Sequence, residues 1–146
     1  MSDVLTPQQR HYCMSRIRNK ATKPELLVRK LLWHHGFRYR LNVTSVPGKP
    51  DIVLRIYRTA IFINGCFWHA HEGCSKFVLP KTRADWWRDK LMANRERDKC
   101  NYQILQRNGW HVIVLWQCQL IPDEFDKIMN NISVQLSRNL LNIYKI

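Results

Sequence analysis

Two strongly apolar segments on either side of a long amphipathic segment do most to constrain the fold of this chain. The apolar segments are TAIFING, at residues 59–65, and WHVIVLW, at 110–116, and such continuous runs are typical of central strands. The segment between them has helical spacing from Thr82, the expected N-cap, to about Asn108, where Gly109 ends the pattern. These segments predict an α/β fold rather than a helical bundle or a β-sandwich.

Shorter patterns place further elements before the first apolar segment. Thr22 followed by Glu25 is a capping-box pattern, which predicts a helix that continues to Gly36. Residues 37–43 (FRYRLNV) alternate in polarity and predict a half-exposed strand. The segment DIVLRIY, at 51–57, is expected to pair with TAIFING as a hairpin.

The C-terminal segment predicts a last helix from Pro122 to about Tyr144. The expected order is α-β-β-β-α-β-α, in a mixed sheet with helices on both faces. We expect one domain over residues 1–146, with a basic N-terminal arm at 1–20. The polar start MSDVLTPQQR and the lack of a long apolar run argue against export and membrane insertion.

The charge of the chain points to a polyanionic partner. The 24 Lys and Arg residues against 11 Asp and Glu residues give a net charge of +13. Cations that neutralise phosphates release counterions, which provides affinity for nucleic acid without regard to sequence. The first 70 residues hold only three acids, Asp3, Glu25 and Asp51, so these carboxylates are candidates for a specific role.

A dense group of potential metal ligands lies in GCFWHAHEGC, at residues 65–74. Cys66, His69, His71 and Cys74 fall within nine positions, and Cys118 follows the last predicted strand. Structural zinc prefers four tetrahedral nitrogen and sulfur ligands, so the three thiols and one histidine predict a zinc site. Spacing alone leaves open which histidine is the ligand, and unrelated buried cysteines are the plainer alternative.

Asp51 and His69 are candidates for hydrolytic chemistry. A carboxylate at a strand start, in the basic half of the chain, can hold Mg²⁺ against a phosphodiester, and Glu25 could reach the same ion directly or through a water. A histidine not bound to zinc can accept a proton from water near neutral pH. The structural alternatives are that Glu25 only caps its helix and that Asp51 is a turn residue after Pro50.

Aromatic residues divide into two groups by their surroundings. Trp33, Trp110 and Trp116 occupy core-like positions, and one of Trp86 and Trp87 is expected to face the core. The second group is interleaved with cations, a pattern suited to stacking on bases or wedging between base pairs. Its members are Phe67, Trp68, Trp86 and Trp87.

Three segments make the chain resemble the very-short-patch-repair (Vsr) DNA mismatch endonucleases. They are PGKPDIVL, IFINGCFWHAHEGC and WRDKLMANRERDKCNYQILQRNGWHVIVLWQC, and the likeness spans roughly residues 10–120. The resemblance implies a restriction-endonuclease-like fold, and a Mg²⁺-dependent enzyme that nicks one DNA strand 5′ to the thymine of a T:G mismatch. Because such mismatches arise from deaminated 5-methylcytosine, it also implies a companion cytosine methyltransferase, and it suggests MutL as a partner.

The resemblance further implies roles for particular residues. Asp51 and the backbone carbonyl of Ile63 would hold Mg²⁺, His69 would activate water, and Glu25 would support the metal through water. Asn64 departs from the family, since many relatives have a histidine there that is thought to assist the leaving group. An asparagine can hydrogen-bond a phosphate oxygen but has no proton of useful pKa to donate.

The same resemblance assigns metal and DNA contacts. It favours His71 over His69 as the fourth zinc ligand, beside Cys66, Cys74 and Cys118. It implies that aromatic residues intercalate beside the mismatch. The basic content of the N-terminal arm fits contact with a nucleic-acid backbone, or simply a flexible terminus. The candidate DNA contacts are Phe67, Trp68, Trp87 or Trp86 and, in the arm, Met14, Arg16, Arg18 and Lys20.

These observations together predict a monomeric, strand-nicking endonuclease of the bacterial cytoplasm, associated with the nucleoid, that requires catalytic Mg²⁺ and structural Zn²⁺. One alternative is the same scaffold with another mismatch or DNA-structure specificity. A second alternative is a zinc-containing DNA-binding module without catalytic activity, a possibility raised by Asn64.

Overall fold

The computed structural model describes residues 6–9 and 22–144. The arm residues Met14, Arg16, Arg18 and Lys20 lie outside the described residues. In chain order, the helices and strands from residue 22 onward are α1 (Lys23–His34), β1 (Arg40–Leu41), β2 (Ile52–Leu54), β3 (Thr59–Asn64), α2 (Ala84–Arg107), β4 (His111–Trp116) and α3 (Phe125–Ile143). This order confirms the predicted α-β-β-β-α-β-α arrangement.

The four strands form one mixed sheet in the order β1-β2-β3-β4. β2 is antiparallel to both β1 and β3, whereas β3 and β4 run parallel and are joined through the crossover helix α2. The parallel pair stays in register from Thr59 opposite His111 to Asn64 opposite Trp116. Both strands therefore end at the same edge of the sheet.

Helices cover both faces of the sheet because alternate residues of β3 point in opposite directions. Ile61 and Ile63 belong to a buried cluster that includes Leu32 of α1 and Leu136 of α3. Phe62 faces the other way, into a smaller cluster with residues of α2. The prediction of a mixed sheet between helices is thus confirmed.

Helix α1 begins and ends where the local sequence pattern predicts. The Thr22 hydroxyl accepts a hydrogen bond from the Glu25 backbone N–H at 3.5 Å, and this contact caps the helix N-terminus. Val28 and Leu32 form its buried face. Gly36, with φ of +86°, follows the C-cap residue and lets the chain turn away.

Four boundaries differ from the prediction. The last helix, predicted from Pro122, begins at Phe125 after a 3₁₀ turn over residues 122–124. Only Arg40–Leu41 of the predicted strand 37–43 pairs with β2, because β2 is itself only three residues long. The strand predicted over 51–57 ends at Leu54, after which residues 55–57 form a 3₁₀ turn. The N-cap of α2 is Arg83 rather than Thr82, and Arg83 adopts a left-handed conformation.

Two predictions about tryptophans are wrong. Trp33 is 54% exposed, because it lies off the buried face of α1 and the Arg38 guanidinium stacks over its ring at 3.4 Å. Trp110 and Trp116 are half-buried. Neither Trp86 nor Trp87 joins the buried core, since Trp86 is 45% exposed and Trp87 packs against aromatic rings of the 65–81 loop.

In the two ranges that the structure covers, no helix combines the length and the apolar character that a bilayer crossing requires.

The loop between β1 and β2 makes a close approach to α2 at Gly48. This residue has φ of +79°, and a Cβ atom added to it would lie 3.0 Å from the Cβ of Asn101. Glycine is suited to both requirements, because it tolerates the left-handed region and lacks the clashing atom. The contact fixes the loop that carries Lys49 and Asp51 against α2.

Gly48→Ala should destabilise the protein more than Gly36→Ala. Both glycines have positive φ, but a Cβ at Gly36 would meet no atom within 4 Å. The overpacking at Gly48 should add about 1–3 kcal/mol to the loss of unfolding free energy. Equilibrium urea unfolding of the two variants measures the difference, and equal losses would contradict the close approach.

Candidate active site and metal centre

One cavity, of about 470 Å³, brings together every residue predicted for catalysis. It lies between the N-terminus of α1, the loop before β2, the end of β3 and the side of α2. The predicted residues that line it are Glu25, Asp51, Ile63, Asn64 and His69.

Asp51 is held at the cavity wall by the backbone of β3. Its carboxylate Oδ2 accepts a hydrogen bond from the N–H of Ile63 at 2.6 Å. Burial raises the pKa of Asp51, the Ile63 N–H opposes the rise, and the nearby Glu25 carboxylate adds to it, so that the pKa is about 6. A bound cation would therefore stabilise the ionised form of this buried carboxylate more than that of an exposed one.

The backbone of Ile63 offers a second oxygen beside Asp51. In a strand, the N–H and C=O of one residue point to the same side, so the Ile63 carbonyl faces the side on which its N–H meets Asp51. The pairing of β2 with β3 extends only from Thr59 to Ile61. The Ile63 carbonyl therefore lies beyond the end of β2, at the cavity.

Glu25 projects from the first turn of α1 and is 5% exposed. Its carboxylate lies 3.6 Å from the guanidinium of Arg29, one helical turn later. Its charge acts on Asp51, which shows that the two carboxylates are neighbours. Glu25 thus contributes a second carboxylate to the cavity in addition to its backbone contact with Thr22.

His69 forms a pair with Asp98 of α2, with 2.5 Å between the imidazole Nδ1 and the carboxylate Oδ2. Such a partner favours the tautomer with the proton on Nδ1, which leaves the Nε2 lone pair able to accept a proton. The sequence analysis missed Asp98. It is one of four acidic residues on α2, and nothing in the helix pattern distinguishes it.

The cavity also contains groups that bind through hydrogen bonds or charge. Asn64 is 3% exposed, and its amide Nδ2 donates a hydrogen bond to the hydroxyl of Tyr102 on α2 at 3.0 Å. Among the described residues, Lys49 is the only lysine or arginine that lines the cavity. The sequence analysis singled out neither Lys49 nor Tyr102, although Lys49 stands two positions before Asp51.

A second cluster forms at the edge where β3 and β4 end. Potential ligand atoms of Cys66, His71, Cys74 and Cys118 all lie within 4.8 Å of one another, so the group can hold a metal ion. Cys66 comes two residues after β3, and Cys118 two residues after β4, so the parallel pair brings them together. The His71 ring stacks on Trp116 at 3.9 Å.

The cluster has the donor set that structural zinc prefers, three sulfurs and one imidazole nitrogen. His71 is the histidine in this group, while His69 pairs with Asp98 in the cavity. Burial and the neighbouring thiols of Cys66 and Cys74 raise the pKa of Cys118 to about 11, as expected when three thiols are crowded together.

Aromatic rings from the 65–81 loop and from α2 form one surface cluster. The Phe67 ring lies 5.1 Å from Trp68 and 5.5 Å from Trp87, and the Trp87 ring lies 4.9 Å from Trp86. Trp86 is the most exposed member, and the Arg83 guanidinium lies 4.8 Å from its ring. The structure thus places the four predicted aromatic residues side by side.

Comparisons with known proteins identify a family and relatives of this chain. The family DNA mismatch endonuclease Vsr matches residues 2–76. The type II nicking enzyme V.NmeAIP of Neisseria meningitidis is 48% identical over 120 residues, which cover 82% of this chain and 85% of that protein. The DNA mismatch endonuclease Vsr of Escherichia coli K12 is 39% identical over 120 residues, covering 82% and 76% of the two chains.

A solved structure resembles the fold. The catalytic domain of homing endonuclease I-Bth0305I superimposes with a TM-score of 0.57, covering 82% of this chain and 99% of that domain. The two sequences are 18% identical, so this likeness concerns the fold alone.

Asp51→Asn should stabilise the protein in magnesium-free buffer at neutral pH. An asparagine still accepts the hydrogen bond from Ile63 but has no charge to desolvate. The rise in pKa from 3.8 to about 6 corresponds to a cost of up to roughly 3 kcal/mol for the ionised carboxylate. This cost is complete above pH 6 and absent below pH 3.8, so the gain in unfolding free energy should shrink as the pH falls.

Thermal unfolding at several pH values measures this effect. Asp85→Asn is a matched control, because the Asp85 side chain is 93% exposed and forms only a surface ion pair with Arg88. The control should be neutral or slightly destabilising at each pH. A destabilised Asp51→Asn variant at neutral pH would contradict the argument.

Proposed function

The chain belongs to the Vsr family of DNA mismatch endonucleases, and on this basis we propose that it nicks one strand of duplex DNA 5′ to the thymine of a T:G mismatch. One observation carries the proposal. The Asp51 carboxylate, held by the Ile63 N–H, lines the same cavity as the His69–Asp98 pair. A carboxylate able to hold a metal ion and an imidazole able to accept a proton therefore line the same cavity, which supports the proposal.

Mg²⁺ is the proposed catalytic ion, held by the Asp51 carboxylate and the Ile63 carbonyl, with Glu25 acting through water. The donor set fits this ion, because Mg²⁺ prefers oxygen ligands and keeps several of its own waters. When bound, Mg²⁺ would neutralise charge on the scissile phosphate. The raised pKa of Asp51 supports the assignment, since a cation would offset the cost of the buried charge.

His69 acts as the general base in this proposal. Its Nε2 accepts a proton from the attacking water, and the Asp98 carboxylate stabilises the imidazolium that results. The water oxygen forms the new bond to phosphorus while the bond from phosphorus to the sugar oxygen of the leaving strand breaks. That oxygen departs with the bonding electron pair and takes up a proton from solvent. Asp98 also holds the imidazole plane, so His69 does not have to be oriented when substrate binds.

Lys49 and the surface cations provide the electrostatic attraction for DNA. The Lys49 side chain is exposed at the cavity mouth, where its ammonium can approach a phosphate. We also propose that Met14, Arg16, Arg18 and Lys20 of the N-terminal arm contact DNA.

The aromatic cluster is the proposed sensor of the mismatch. Phe67, Trp68 and Trp87 would wedge between base pairs, with Trp86 beside them. Unstacking is least costly at a mismatched pair, so insertion of rings there is a physical basis for selectivity. The contacts among these rings support the proposal, because they form one apolar surface next to the cavity that Trp68 lines.

Zn²⁺ is the proposed occupant of the Cys66, His71, Cys74 and Cys118 cluster. A closed set of four ligands has no position for substrate, which favours a structural role. The metal would fix the loop that carries His69 and the aromatic rings. The chemistry of the site thus depends on a loop with little regular structure of its own.

The proposed setting is the bacterial cytoplasm, at the nucleoid, where the protein acts as a monomer. A cytosine methyltransferase would generate the substrate indirectly, through deamination of 5-methylcytosine. MutL is the proposed protein partner, on the strength of the family resemblance alone.

The proposed activity is tested by nicking of a T:G heteroduplex in the presence of Mg²⁺. The wild-type protein should cut one strand, and Asp51→Ala should lower the rate by about 10³-fold or more, because the ion loses its charged ligand. Homoduplex DNA and a panel of other mismatches are run in parallel. Faster cutting of another mismatch would assign a different specificity to the same scaffold.

Equal rates for wild type and Asp51→Ala would refute the role of Asp51. Tight, salt-sensitive DNA binding without cleavage in any divalent ion would instead favour a DNA-binding module without catalytic activity.

Cys118→Ser should abolish zinc binding and lower the melting temperature, because the cluster loses one of its three thiols. Cys100→Ser is a matched control, since Cys100 is exposed on α2 and lies outside the cluster. Elemental analysis of the purified proteins measures the metal. Undiminished zinc in Cys118→Ser would contradict the ligand assignment.

A further inference from the structure

Tyr102 is held in one orientation by two contacts with β3. Its ring packs against Phe62, with 4.9 Å between ring centroids. Its hydroxyl oxygen accepts a hydrogen bond from the Asn64 amide at 3.0 Å. Phe62 and Asn64 lie on the same face of β3, two residues apart, so α2 and the end of β3 position the phenol together.

Tyr102 lies next to residues that line the cavity. Both of its partners, Phe62 and Asn64, line that cavity. So does Asp98, which stands one helical turn before Tyr102 on α2, so that the phenol and this carboxylate lie on the same face of the helix. Burial, together with the charges of Asp98 and Asp51, raises the pKa of Tyr102 above its ordinary value.

The hydrogen bond with Asn64 leaves the phenolic hydrogen available. A tyrosine hydroxyl has one hydrogen to donate, and here its oxygen acts as the acceptor from Asn64. Within the part of the chain that the structure describes, no other hydrogen bond of the Tyr102 hydroxyl is found. A neutral donor thus lies directly behind Asn64, beside a cavity lined by three carboxylates, Glu25, Asp51 and Asp98.

We propose that Tyr102 is a further residue of the active site, whose hydroxyl, oriented by Asn64, donates a hydrogen bond to a non-bridging oxygen of the scissile phosphate. The inference rests on the proposed nuclease function. No proton is transferred in this interaction, since the water proton goes to His69. The hydrogen bond strengthens as negative charge grows on the phosphate oxygens, so it favours the transition state.

This arrangement also gives Asn64 a defined role. In this chain the amide does not itself supply a proton but orients a group that donates a hydrogen bond. Asn64 is then a positioning residue, and Tyr102 is the residue that touches substrate.

Tyr102→Phe tests the proposal, because it removes the hydroxyl and keeps the ring against Phe62. The single-turnover nicking rate should fall on the order of 100-fold, while the affinity for the mismatched duplex without Mg²⁺ stays unchanged. Asn64→Ala should cause a similar fall, and the double variant should lose no more than the larger single loss. Tyr57→Phe is the matched control, since Tyr57 packs on the opposite face of the sheet.

Phosphorothioate substrates separate a direct contact from a structural effect. Sulfur accepts hydrogen bonds poorly, so the wild type should be slowed by sulfur at one of the two non-bridging positions, and Tyr102→Phe should be slowed less there. Rates are measured at a temperature at which melting curves show all variants folded. A wild-type rate in Tyr102→Phe, multiplied losses in the double variant, or unchanged sulfur effects would each overturn the proposal. A wild-type protein that nicks no duplex would refute the nuclease function itself.

Discussion

The parallel pairing of β3 with β4 is the constraint on which the rest of the structure depends. The pair stays in register up to Asn64 opposite Trp116, so both strands end at one edge of the sheet. At that edge, Cys66 follows β3 and Cys118 follows β4, which makes the metal cluster possible. The last residues of β3 also provide the backbone that holds Asp51. Loss of this register would separate the four candidate metal ligands and release the Asp51 carboxylate together.

The buried carboxylate of Asp51 lowers the stability of the folded protein. Asp51 is desolvated, lies beside Glu25, and has a pKa raised to about 6. The protein tolerates this because the Ile63 N–H partly compensates for the charge and because the hydrophobic clusters on both faces of the sheet stabilise the fold. Such a carboxylate is poised to bind a cation, and the preference for function over local stability is common in active sites.

Predictions from sequence were accurate where the signal was local. The capping contact of Thr22 with Glu25, the turn at Gly36 and the two apolar strands all follow from short-range patterns. Predictions failed where contacts between residues distant in the sequence determine the burial of a side chain or the length of a strand. Trp33 lies at the surface beneath Arg38, and the edge strand β1 is short because its partner β2 has only three residues.

The candidate site shows the same division. Asp51, His69 and the cysteine cluster could be singled out from the sequence, because their residue types and spacing suit metal binding and hydrolysis. Asp98 and Tyr102 could not, because each is one of many polar residues on a 24-residue helix. Their roles depend on which face of α2 lies against the cavity.

The amino-acid sequence alone determined the order of the elements, the basic character of the chain and the types of ligand available, since these depend on composition and short-range periodicity. Only the tertiary structure decided that His71 joins the thiols while His69 pairs with Asp98, and that Asn64 meets Tyr102. These choices depend on contacts between residues 29 to 47 positions apart, which no local pattern encodes. These contacts form because α2 packs across the end of the sheet.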